Sequence, residues 1–136
     1  MKVFNLYCPI YAVPIMLFVG GTKFEAAKVF GRTFKLPAPD PEQFRAEAAG
    51  SVFFNESCKA AAIWFPQKEV CTGIIAHEAT HAALLIFDQS SVNPPKWNHD
   101  EHFTYYVGWL VDMLCEKLTP IRRAKPPRGA KSGAWY

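Results

Sequence analysis

Within Ile74–Phe87 lies His77-Glu78-Ala79-Thr80-His81, a His-Glu-x-x-His motif in otherwise apolar or small surroundings. No Gly or Pro interrupts the run, and its pattern predicts a helix of about four turns. Residues four apart stack on one helix face, so the two imidazoles come near enough to hold one ion. Glu78 projects about 100° further round, beside the ion rather than onto it. Two histidines and such a carboxylate suit Zn2+ with a general base next to its water. The plain alternative is chance. With four His and eight Glu in the chain, random order gives the motif in well under roughly one sequence in fifty. A helix apolar all round is normally buried, and burying these three groups without partners costs several kcal/mol. A bound cation would partner all of them.

A catalytic zinc takes three protein ligands and leaves one position open. Asp88 shares the His77/His81 face, yet it stands about 10 Å beyond His81 along a straight helix, too far for the same ion. Positions 84 and 87 are Leu and Phe, so no His-x-x-Gly-x-x-His extension of the metzincin type continues the motif. The next candidates stand in His99-Asp100-Glu101-His102. Glu101 follows His81 by 20 residues, long enough for a loop and an antiparallel return.

At these residues the sequence resembles the gluzincin branch of His-Glu-x-x-His metallopeptidases, in which a Glu on the following helix is the third ligand. It is also similar to the short zincin-like proteins of phages and prophages. There the Glu is followed by an aromatic and a small residue on one helix, as in Glu101-His-Phe-Thr-Tyr105-Tyr-Val-Gly108. The resemblance covers Ala60 to about Leu118. It implies Zn2+ held by His77, His81 and Glu101, a peptide or protein substrate, and a phage- or bacterium-encoded cytoplasmic protein. Glu78 would take a proton from the metal-activated water and pass it to the leaving amine.

Helix geometry sorts the neighbours of Glu101. Tyr105, Gly108 and Asp112 fall within about 60° of it, while Phe103, Tyr106, Val107, Leu110, Val111 and Leu114 cover the opposite side. Asp100 and His102 lie about 100° to either side, and His99 about 160° away. Gly108 is expected to let the motif helix approach. Asp112 is either a carboxylate supporting the ligands or simply solvated. Tyr105 either fills a gap or, with His102 as the alternative, hydrogen-bonds the developing oxyanion. His102 is also the competing third ligand.

Several elements must hold these groups in place. Val3 to Val19 is rich in β-branched and aromatic residues and reads as strand, in one piece or two, despite Pro9 and Pro14. Thr22 with Glu25 forms a capping box for a short helix, and Leu36–Pro41 is a rigid connector. Ser51–Phe54 and Ala60–Phe65 read as a hairpin with a five-residue loop. The motif helix is expected to be capped near Thr72, and a second helix to run from about Asn98 to about Leu118. This order predicts an α+β, zincin-like fold: a small, mainly antiparallel sheet packed on a buried motif helix and a Glu-bearing second helix. An extended peptide would pair with Ala60–Phe65 if that strand is a free edge.

At 136 residues the chain makes one domain, expected over residues 1–118. The formal charge of +3 is uneven: the first 119 residues hold ten basic and twelve acidic groups, a net of −2. The remaining five basic residues, Arg122, Arg123, Lys125, Arg128 and Lys131, lie in a Pro- and Gly-rich tail over 119–136 expected to be disordered. By charge alone the body is no nucleic-acid surface. Cys8, Cys58, Cys71 and Cys115 form no metal-binding spacing and read as free thiols, with two disulfides as the alternative. The apolar start is too interrupted for a membrane span and lacks a cleavage site, so no membrane partner is expected.

Two other function classes compete with a peptidase. One is a zinc-holding binding or regulatory protein without turnover, against which the general base Glu78 argues. The other is a nucleic-acid-associated protein working through the basic tail and Trp135-Tyr136.

Overall fold

The computed structural model describes residues 1–8, 11–44, 49–90 and 101–122. The apolar N-terminal run forms two antiparallel strands, β1 (Lys2–Leu6) and β2 (Ile15–Val19). Thr22 caps α1 (Lys23–Phe34): its Oγ1 accepts from the Glu25 amide at 3.2 Å, and Glu25 accepts from the Thr22 amide at 2.7 Å. That is the expected capping box. The proline-rich connector ends in a single 3-10 turn, Pro41–Gln43.

The hairpin forms as expected from β3 (Ser51–Asn55) and β4 (Ala60–Phe65). Asn55 closes its loop by accepting from the amides of Ser57 and Cys58. A short strand, β5 (Glu69–Cys71), leads directly into α2 (Thr72–Gln89), and α3 (Glu101–Lys117) follows. Thr72 is the first helical residue rather than the cap. Cys71 occupies that position in extended backbone and makes no side-chain cap bond.

The main sheet has the order β1-β2-β4-β3, with β2 and β4 parallel and the outer pairs antiparallel. It is therefore mixed, and helices cover both faces. Ile15, Leu17, Ala61, Ile63 and Phe65 point to the α2/α3 side, where Ile75, Ala79, Ile86, Leu110 and Leu114 complete one core. Met16, Phe18, Ala62 and Trp64 point to the α1 side and pack with Phe30, Phe44 and Phe53. A strand buried on both faces has no need to alternate, and every residue of β2 and β4 is buried.

Two expectations change here. Ala60–Phe65 is central, flanked by β2 and β3, so it offers no free edge to a peptide. Thr119–Ile121, assigned by sequence to the disordered tail, forms β6 in parallel with β5. The tail beyond Arg122, like the expected helix start at Asn98, lies outside the described residues. Among those described, no helix is long and apolar enough to cross a membrane.

Candidate functional site

Helix α2 forms without a side-chain cap because its packing, rather than its end, stabilises it. Ile75, Ala79, Ala82, Ala83, Ile86 and Phe87 press one side into the core. The opposite stripe, His77, His81, Leu84 and Asp88, is exposed. The motif helix is thus half-buried rather than buried all round, and both imidazoles face outward.

Four residues apart on that stripe, His77 and His81 bring their Nε2 atoms to 3.1 Å, with ring planes at 82°. Two nitrogens each bound to one tetrahedral zinc at ordinary lengths stand about 3.3 Å apart. The pair is therefore spaced as two ligands of a common ion, without either side chain having to move far.

Glu78 turns inward and is 6% exposed; among the described residues, it and Ser51 are the buried polar ones. The backbone at Gly50 makes room for it. A Cβ on Gly50 would stand 2.8 Å from Cγ of Glu78 and 2.7 Å from Cε1 of Phe65, closer than atoms can pack. Gly50, Ser51 and Val52, at the start of β3, form one wall of a cleft of about 310 Å³. His77, Glu78, His81, Leu84 and Leu85 form the other, and Gln43 closes an end. The cleft thus joins two imidazoles, a buried carboxylate and an apolar flank.

The remaining sequence candidates fall elsewhere. The His102 ring stacks on Phe87 at 5.5 Å, so α3 begins at the far end of α2, about 9 Å along the axis from His81. Glu101 is exposed on this first turn of α3. Among the described residues, no three His, Cys, Asp or Glu side chains gather to hold a metal, so Glu101 does not join the histidine pair. The physical reason is the apolar stripe of α3. Tyr106, Leu110 and Leu114 turn to the core, which leaves Glu101, Tyr105, Gly108 and Asp112 facing solvent. Among the described residues, a Cβ on Gly108 would meet nothing within 4 Å, so none of them brings its backbone close there. Tyr105 is 76% exposed and lines no part of the cleft. His99 and Asp100 lie outside the described residues.

Gly50, Ser51 and Val52 went unrecognised in the sequence as cleft residues. Their signal was weak: a small residue followed by a hydroxyl at the mouth of a strand. Burial has also raised the thiols of Cys58 and Cys115 and the phenol of Tyr106, none of which lines this cleft. Compared with protein-family models, curated proteins and solved structures, the chain matches none.

Proposed function

We propose that the cleft is the active site of a zinc-dependent, metallopeptidase-like hydrolase. The observation that carries this reading is the 3.1 Å approach of His77 and His81 beside the buried Glu78. His77 and His81 would hold the metal through Nε2. Zinc, when bound, lowers the pKa of a coordinated water and polarises a carbonyl. Glu78 supplies the general base: its carboxylate takes a proton and hands it to the leaving amine. The close approach of the Gly50 backbone limits the rotation of the Glu78 stem, which keeps the carboxylate aimed. A purely structural zinc site is closed by four protein ligands and needs no base. The open cleft and the adjacent carboxylate favour catalysis over structure.

The substrate class follows from the walls. Ser51 and Val52 belong to β3, an edge strand of the main sheet, and an edge can take an extended peptide by backbone pairing. β3 thus replaces β4 as the strand offered to substrate. The test uses purified protein and an unfolded protein substrate such as reduced casein. About one zinc per chain and cleavage that Glu78→Gln abolishes are expected. No metal after dialysis against a zinc buffer, or full cleavage by the Gln variant, would sink the proposal.

The third ligand is tested by zinc titration. Loss of His77 or His81 should weaken zinc by a hundredfold or more. From its place on the solvent face of α3, Glu101→Ala should weaken it by less than about tenfold, in the range of an indirect effect. Equal losses for Glu101→Ala and His81→Ala would put Glu101 on the ion.

A further inference from the structure

The histidine cleft has an apolar end to which the chemistry proposed above gives no role. Leu84 follows His81 by one turn on the exposed stripe of α2, lines the cleft and is 43% exposed. Leu85 and Val52, both half-buried, line the same cleft. An exposed leucine alone is ordinary. This one lies on the wall along which a substrate would pass.

Two contacts fix how α2 lies along β3. At one end the Gly50 backbone packs against Glu78. At the other, Lys59 Nζ donates to Gln89 Oε1 at 3.4 Å, and Ala60, the next residue, pairs with Asn55. Glu78 to Gln89 spans about 16 Å of helix and Gly50 to Asn55 about 17 Å of strand, so the two run side by side in one direction. The histidine pair, centred near residue 79, is therefore level with the first residues of β3. Leu84 lies about 7.5 Å further along the helix, level with Val52 and Phe53.

We propose, resting on the hydrolase reading above, that Leu84 determines specificity by selecting a large apolar side chain about two residues N-terminal to the bond that is cut. An extended peptide on the β3 edge pairs more stably antiparallel than parallel. Its chain then runs from the Asn55 end toward Gly50 and passes Leu84 before it reaches the histidines. Extended chain covers that 7.5 Å in about two residues. Leu84, Leu85 and Val52 present carbon there and no charge. A leucine or phenylalanine of the peptide gains burial against them, whereas a charged or amide side chain loses water without finding a partner.

Two labelled decapeptides test this, identical in a Gly, Ser and Ala background except for one central Leu or Asn. Binding is read by fluorescence anisotropy on Glu78→Gln protein incubated with zinc, so that turnover does not intrude. The Leu peptide should bind about tenfold more tightly than the Asn peptide. Added to that background, Leu84→Gln should cut the preference to within about twofold, and Leu84→Met should keep it. Phe24→Ser, which removes an exposed apolar side chain on α1, should leave it unchanged. Circular dichroism checks that each variant is folded. The parent protein should cut the Leu peptide at the second bond beyond the leucine. Equal affinity for the two peptides, no binding of either, or a preference that survives Leu84→Gln would overturn the proposal. So would cleavage only on the N-terminal side of the leucine. Binding that depends on both leucines without any cleavage would uphold the subsite and overturn the hydrolase reading instead.

Discussion

Glu78 and Gly50 make one structural unit, since the missing side chain at one is the packing space of the other. Gly50→Val should therefore act on the site without touching a ligand. Overpacking at a closed position costs about 1–3 kcal/mol, to be read by urea denaturation. On the proposed reading, zinc affinity should stay within tenfold while cleavage falls by about two orders of magnitude, because the displaced group is the proposed base. If cleavage survives, Glu78 is not held by this contact. The histidine pair and Glu78 could be read from spacing alone, because i, i+4 geometry is local. Gly50 could not: it meets Glu78 only after hairpin and helix have packed, and nothing near Gly50 in sequence announces that contact.

At the scale of elements, the cap of α1 gives a pH-dependent prediction. The Thr22 amide and hydroxyl hold Glu25 below the usual carboxylate range. A depressed folded pKa contributes stability above the unfolded value, and that contribution is lost as pH falls through the folded one. Thr22→Ala should cost about 1 kcal/mol at pH 7, a typical loss for a cap. The difference between parent and variant should shrink in the acid range below the ordinary Glu pKa. A gap that stays constant from pH 7 to pH 3 would show that the Glu25 carboxylate gains nothing from the Thr22 hydroxyl. Capping boxes are legible in sequence because every partner lies within one turn. The orientation of α3 was not. Its angular pattern separated two faces, yet the Glu101–Gly108 face was assigned inward from the family resemblance and from the room Gly108 gives a neighbouring backbone. The stripe of Tyr106, Leu110 and Leu114 decides the matter, since burying three large side chains outweighs a place where a backbone could approach. The central place of β4 did leave a trace. Six consecutive apolar residues from Ala60 to Phe65 mark a strand buried on both faces, whereas an edge strand facing solvent would alternate.

Over the whole molecule, the four cysteines are free and differ in access. Cys8 is buried, and desolvation has raised the thiols of Cys58 and Cys115. A thiol with a raised pKa keeps its proton at neutral pH and reacts as thiolate only as the medium becomes alkaline. Alkylation of native protein at pH 7.5 should therefore modify Cys71 first, with the other three reacting quickly only after denaturation. Four equally fast thiols in the native state would contradict the burial described here. Absence of reaction even in denaturant without reductant would mean disulfides instead.

The parallel pairing of β2 with β4 also bears on how the molecule folds. Ile15 lies beside Ala61, a contact that closes a loop of more than forty residues, whereas β3, β4 and α2 follow one another within residues 51–89. Local contacts form first because they close short loops. The walls of the histidine cleft are therefore expected to order early, with β1 and β2 joining them afterwards. Val52→Ala should chiefly slow refolding, and Val3→Ala should chiefly hasten unfolding. In stopped-flow experiments the reverse partition would place the nucleus at the N-terminal strands. On this order the nascent chain shapes its two histidines and their carboxylate while the centre of its sheet is still open.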